Sequence, residues 1–175
     1  LPGLDQPLLA KDVVRFVGEG VAVVVATDRY IAADAAELIV VDYEPLPAVA
    51  SLSAAMAPGA VVLHEVLGGN TVHFQDFENP LDDVFAAAPR TASLHIVNNR
   101  CAPSPIEPNV CLADWGRSGL TLWAAFQAPH HLRNTIAQYF GIPQDSTRVV
   151  APDVGGGFGA KINFVPEFFL TSLLS

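Results

Sequence analysis

The stretch TRVVAPDVGGGFGAK, residues 147–161, decides how this chain is read. A β-branched run passes through a proline into three consecutive glycines, a phenylalanine, another glycine, an alanine and a lysine. Glycine in a loop is entropically costly, so such a run marks backbone that takes positive φ or lets something approach very closely. A flexible turn between a strand and a helix is the simplest reading. A P-loop needs glycine directly before the lysine and Ser or Thr directly after it. Ala160 and Ile162 hold those places, which excludes it. Gly155, Gly157 and Ala160 match a relaxed dinucleotide fingerprint. That motif also requires a helix opening within the glycines, and Pro166 falls where the helix should be running.

Working outward, the pattern is that of alternating strands and helices. PHHLRNTIAQYF (129–140) has Pro129 at a first-turn position, an apolar stripe of Leu132, Ile136, Tyr139 and Phe140, and Gly141 just past its end; it predicts a helix. NVCLADW and LTLWAAF flank Gly116-Arg117-Ser118-Gly119, a hairpin signal. Residues 13–26 read as strand, turn at Gly18-Glu19-Gly20, strand; Thr27 or Asp28 caps a helix to Glu37; residues 39–49 read as a buried strand. A short helix is expected at Ser53–Ala57, strands at 73–77 and 92–99, a helix entered at Asn79-Pro80 and ending before Pro89, and a last helix from Pro166. APSPIEPN (102–109) reads as a rigid loop. No internal repeat is evident, and the domain boundary is expected between residues 50 and 90.

The chain's 175 residues suit one domain, or one and part of another. It is 51% hydrophobic and only 15% charged, which predicts a substantial core and a surface suited to a larger assembly. The net charge of −9 argues against nucleic acid and against an anionic membrane surface, both of which need a basic footprint. No apolar run approaches the ~20 residues of a transmembrane helix. Residues 1–15 show no signal-peptide pattern. The absence of an initiator methionine and of a helix-stop signal before Ser175 leads to the expectation of a fragment or processed product. Cys101 and Cys111 are spaced for neither a disulfide framework nor a metal finger, and reduced thiols in the cytoplasm are expected. Adjacent His130 and His131 point about 100° apart on a helix, so they cannot share a metal; His64, His73 and His95 are isolated, and no metal-ligand set is expected.

Four motifs, in order and over nearly the whole chain, carry a family resemblance: VRFVGEGVAVVVATDRYIAADAAELIVVDYEPLPAV, NNRCAPSPIEPNVCLADW, QAPHHLR and RVVAPDVGGGFGAK. Together they resemble the large subunits of the molybdenum hydroxylases, the xanthine dehydrogenase, aldehyde oxidase and carbon monoxide dehydrogenase family, and most of all the bacterial carbon-monoxide-dehydrogenase type. The resemblance implies a mixed α/β (α+β) fold. Residues 1–70 would form part of an α/β hammerhead-like domain, and residues 71–175 the beginning of a molybdopterin-binding domain.

In that family the glycine loop packs against the molybdopterin and the molybdenum oxygens. Gly155, Gly156, Gly157, Phe158 and Gly159 match it. Gln127 matches a glutamine that hydrogen-bonds the apical molybdenum oxygen and is the one catalytic residue implied within this chain; read from its residues alone it is an ordinary strand-end side chain capping the next helix. The Ser or Thr that usually precedes it is Phe126 here. Glu107, in a motif where Asn109 replaces the family's usual arginine, reads as part of a buried structural turn. Ile162 stands where purine-hydroxylating members carry an acid, which argues against xanthine. The family's base, a glutamate far toward the C-terminus, has no counterpart in these residues, and neither cysteine matches the copper ligand of the carbon-monoxide type.

The resemblance therefore implies an oxidoreductase segment, inactive by itself, of an enzyme oxidising an aldehyde, a heteroaromatic or carbon monoxide with water as oxygen source. Its cofactor would be molybdopterin, in the cytosine dinucleotide form, with molybdenum. FAD and 2Fe-2S clusters would sit on partner subunits, beside the rest of the large subunit. Two other readings stay open: a scaffold or binding module that has lost the cofactor, and a dinucleotide-binding module.

Overall fold

In a computed structural model, residues 7–75 and 80–175 are described. They fall into two compact units: residues 43–101, and residues 7–42 with 102–175.

The second unit is organised by a hairpin. Strand β1 (Cys111–Gly116) runs antiparallel to β2 (Gly119–Ala124), with Gly116 opposite Gly119 across the Arg117–Ser118 turn. Gly119 has φ +114°, and a Cβ there would collide with the backbone carbonyl of Ser146, so only glycine closes this turn. The chain then forms helix α4 (Pro129–Phe140) and returns as β3 (Thr147–Val150), parallel to β2, completing a sheet of order β1-β2-β3. Helix α4 has Pro129 in its first turn, where the missing N–H costs nothing, and stops at Gly141 in the left-handed region. Helix α5 (Pro166–Leu174) closes the unit.

Period-two alternation on β2 buries Leu120, Leu122 and Ala124 on one face. With Phe126 they form one core cluster with Leu132 and Ile136 of α4 and Phe168 and Phe169 of α5. The Phe126 ring stands edge-on to Phe168 and stacks on Phe164. Full burial of each such side chain contributes roughly 1.5–3 kcal/mol. The expected α4 stripe holds at Leu132 and Ile136, but Ala137 is buried whereas Tyr139 is 55% exposed. The Tyr139 ring lies edge-on to Phe140 and Phe169 instead of inserting into the core.

Helix α1 (Arg29–Glu37) begins where expected: the Asp28 carboxylate accepts from the N–H groups of Tyr30 and Ile31 at 2.8 and 3.0 Å. The flanking runs differ from expectation. Residues 13–26 turn at Phe16–Glu19, with Gly18 at φ +96°, but form no ladder, and residues 39–49 form no strand and are largely exposed rather than buried. Among the described residues these runs have no neighbouring strand, and a β-strand exists only through a partner's hydrogen bonds.

The first unit contains α2 (Leu52–Ala55, capped by Ser51), a short 3₁₀ turn at Glu65–Leu67 and α3 (Asp82–Ala87). Asn70 ties its irregular loop together: the side-chain carbonyl accepts from Leu63 N, and the amide donates to the carbonyls of Ala55 and Val61. Residues 92–99, expected as a strand, form none and are exposed. Of the strand expected at 73–77, residues 73–75 form no strand; residues 76 and 77, like Asn79 of the expected helix entry, lie outside the described residues.

Candidate cofactor-binding site

Strand β3 ends at Val150, with residues 151–154 between it and the glycine run and short of the 147–154 stretch that the β-branched pattern suggests, and the sheet's other connections bring two further segments to the run. One is the proline-rich loop 102–109 leading into β1; the other is Gln127, at the junction of β2 and α4. Glu107 N donates to the Gly155 carbonyl at 3.4 Å, and Gly155 N donates to Glu107 Oε2 at 2.7 Å. The same carboxylate oxygen accepts from Lys161 Nζ at 2.5 Å. Lys161 is 2% exposed. The lysine, then the Gly155 N–H, hold the Glu107 carboxyl below its ordinary range, against a smaller opposing effect of desolvation.

On the other side, Gln127 N donates to the Lys161 carbonyl at 2.8 Å, and Gln127 Oε1 accepts from Gly159 N at 3.1 Å. A backbone N–H can only donate, so this bond fixes the amide orientation and leaves the Nε2 hydrogens of the exposed Gln127 without a protein partner among the described residues. A Cβ at Gly157 would collide with the Gln127 amide, and one at Gly155 with the Glu107 side chain. The glycines thus admit two side chains of the protein itself, a role the sequence reading did not assign them.

The remaining loop amides divide unequally. Gly156 N donates to Val154 O and Ala160 N to Gly157 O, both at 2.9 Å. The consecutive N–H groups of Gly157 and Phe158 have no protein acceptor among the described residues. Phe158 is the non-glycine residue with positive φ, +52°, and its ring is 74% exposed. A bulky residue held there is strained, and such strain persists where a site requires it.

Gly155, Gly156, Gly157, Phe158, Gly159 and Gln127 are therefore brought together. The His130, His131, His64, His73 and His95 side chains are not joined in a metal-ligand group, and no group of three or more His, Cys, Asp or Glu able to hold a metal exists among the described residues. Cys101 and Cys111 are free thiols. The Glu107–Lys161 pair went unread in the sequence, although Glu107 is the one charged residue of loop 102–109 and Lys161 the one cation among apolar neighbours. Loop 102–109 is not buried as expected: Ile106 is fully exposed and Glu107 half-buried. After the glycines comes a 3₁₀ turn, Ala160–Ile162, and the next helix opens only at Pro166. The helix N-terminus that a dinucleotide fingerprint needs is absent from the glycines.

Two adjacent N–H groups without acceptors and an amide NH₂ without a protein partner form a donor set for oxygen atoms of an anionic ligand, in a loop where Phe158 alone carries a side chain. These residues fit an oxygen-rich cofactor such as molybdopterin. Residues 63–175 match the family of the molybdopterin cofactor-binding domain, and residues 2–47 that of the aldehyde oxidase and xanthine dehydrogenase a/b hammerhead domain. The chain belongs to this family, the large subunits of the molybdenum hydroxylases.

Its relatives include the carbon monoxide dehydrogenase large chains of Hydrogenophaga pseudoflava and Afipia carboxidovorans, 39% and 40% identical over 96% and 93% of this chain. They also include the crystal structure of quinoline 2-oxidoreductase from Pseudomonas putida 86, 41% identical with a TM-score of 0.83 over 97% of this chain. The chain spans 23%, 22% and 22% of these three proteins' lengths.

Proposed function

We propose that this chain supplies part of the cofactor site of a molybdenum-dependent hydroxylase or dehydrogenase, an oxidoreductase acting on a small carbon substrate with water as oxygen source. The observation that carries the reading is the donor set: the acceptor-free N–H groups of Gly157 and Phe158 and the unpartnered amide NH₂ of Gln127. When bound, the molybdenum cofactor supplies two-electron redox and oxygen-transfer chemistry. Gly157 and Phe158 donate to its oxygens; Gly155, Gly156 and Gly159 shape the loop that lets it approach. Gln127 Nε2 donates to an oxygen at the reacting centre without altering the site's charge, and orients substrate.

The relatives named above are a carbon monoxide dehydrogenase pair and a quinoline oxidoreductase, which supports carbon monoxide or an N-heteroaromatic as the substrate class, with aldehydes as the third candidate. Ile162 beside Lys161 presents no acid to a purine ring. The cofactor is molybdopterin in its cytosine dinucleotide form. 2Fe-2S clusters and FAD on partner subunits would take up the electrons, in the cytoplasm. Within the chain, residues 1–70 form part of the hammerhead domain and 71–175 the front of the cofactor domain. No described helix is long and apolar enough to cross a membrane.

The test is turnover in ¹⁸O-labelled water, using the polypeptide and co-purifying subunits from its own host, an artificial electron acceptor, and the three substrate classes in turn. Label in the product with stoichiometric acceptor reduction is expected. Product oxygen derived from O₂, or no turnover by a molybdenum-loaded preparation, would overturn the assignment.

A further inference from the structure

The mechanism above leaves one buried charge unused. Lys161 sits directly after the glycine loop, 2% exposed, and its ammonium reaches Glu107, 54 residues earlier. Burying an ammonium is costly unless it is paired and hydrogen-bonded. An arrangement needed only to fill space would use an apolar side chain there, and replacing buried pairs by apolar groups is often neutral or stabilising.

What the pair does beyond neutralising itself lies in its third member. Glu107 Oε2 takes the lysine and the Gly155 N–H on one oxygen, while Glu107 N holds the Gly155 carbonyl. The first residue of the glycine run is thereby held at both its N–H and its C=O. The last is held by Gln127 Oε1 through Gly159 N, and Gln127 N is in turn held by the Lys161 carbonyl. Lys161 thus serves both anchors, by its side chain at one end and its backbone at the other. Between them lie the two N–H groups without acceptors.

We propose that Glu107 and Lys161 are positioning residues: an ion-paired clasp that presets the 155–159 loop, so that the Gly157 and Phe158 N–H groups are aimed before any cofactor arrives. The proposal rests on the cofactor-site reading for what the loop receives, but not for the clasp itself. A five-residue segment with four glycines has large conformational freedom, and fixing it beforehand removes an ordering cost that binding would otherwise carry. Charge-assisted hydrogen bonds are about twice as strong as neutral ones, which is why a carboxylate rather than an amide suits the first anchor.

The test compares wild type, E107A, E107Q and E107Q/K161M in the polypeptide as its host makes it, by peptide-resolved hydrogen exchange on molybdenum-depleted protein and by molybdenum content on protein as isolated. In E107A, exchange over 155–159 should accelerate about tenfold or more, and molybdenum occupancy should fall by about 10–100-fold, the usual cost of losing an outer support of a metal site. E107Q keeps an acceptor for Gly155 but leaves the ammonium without its counter-charge, so its loss should be intermediate or accompanied by unfolding.

E107Q/K161M removes both charges and guards against that outcome. It should restore the denaturation midpoint of the whole protein while leaving the loop faster-exchanging than wild type. A purely structural role would make loop exchange track global stability across all four proteins, and that result overturns the proposal. So does E107Q/K161M with wild-type loop protection and occupancy. If wild type itself carries no molybdenum while E107A still loosens the loop, the cofactor reading fails and the clasp stands. If wild type carries molybdenum and E107A matches it in both readouts, the clasp fails and the cofactor reading stands.

Discussion

At the scale of single residues, the site is an interlock in which Gly155 packs against Glu107 and Gly157 against Gln127. Gly157 has the Gln127 amide where its Cβ would be, so Gly157→Ala should push the glutamine off Gly159 and out of line. The expected result is a roughly 10–100-fold loss of molybdenum occupancy with an unchanged far-ultraviolet circular dichroism spectrum. Occupancy at the wild-type level would show that Gln127 does not need this geometry. Glu107 gives a pH signature. Its folded-state pKa lies below the ordinary 4.5, so its contribution to stability is complete above that value and is lost as pH falls through the lowered one. The stability difference between wild type and E107Q should therefore be flat from neutral pH down to about 4.5 and shrink below it, read from urea midpoints at each pH. A difference that grows on acidification would contradict the assignment. These residue-scale features were the least legible in the sequence. The glycine motif and Gln127 stood out by type, but the bond between positions 107 and 161 depends on how three connections of a sheet converge, which no local pattern encodes.

At the scale of elements, legibility followed locality. The hairpin, α4 with its proline start and glycine stop, and α5 carry their signals within a few neighbouring residues and formed where the pattern placed them. The runs at 13–26, 39–49 and 92–99 have strand composition, but a strand is completed by its partner, and composition says nothing of where the partner is. Two substitutions test the elements that hold the site. Gly119→Ala places a Cβ at φ +114° against the Ser146 carbonyl and should cost about 1–3 kcal/mol, measured by chemical denaturation. Leu122→Ala, at a fully buried position on β2, should cost about 2–5 kcal/mol in the same measurement. A smaller loss for Gly119→Ala than for an exposed alanine substitution would mean the hairpin does not set the register of the sheet.

At the scale of the whole molecule, apolar composition and apolar core do not coincide. The chain is 51% hydrophobic, yet its buried cluster is confined to the sheet, α4 and α5, while Val40, Leu94, Ile96 and Phe74 are largely exposed. Surface of that kind is what interfaces cover. Composition alone predicts an assembly, and the chain spans only 22–23% of the lengths of the relatives it matches. Produced as the 175-residue polypeptide alone, it should self-associate or bind hydrophobic dyes, and sedimentation should show species larger than a monomer. It should also be inactive on every substrate class, because the family's general base has no counterpart among its residues.

The central claim is that the glycine loop and Gln127 receive a molybdenum cofactor. The measurement that tests it most directly is the molybdenum content, by plasma mass spectrometry, of the polypeptide captured through a tag on this chain in its own host. Stoichiometric molybdenum, released together with a pterin on denaturation, is the result predicted. Intact, folded protein carrying neither metal nor pterin would mean that the acceptor-free N–H groups of Gly157 and Phe158 receive no such cofactor, and the scaffold reading would replace this one.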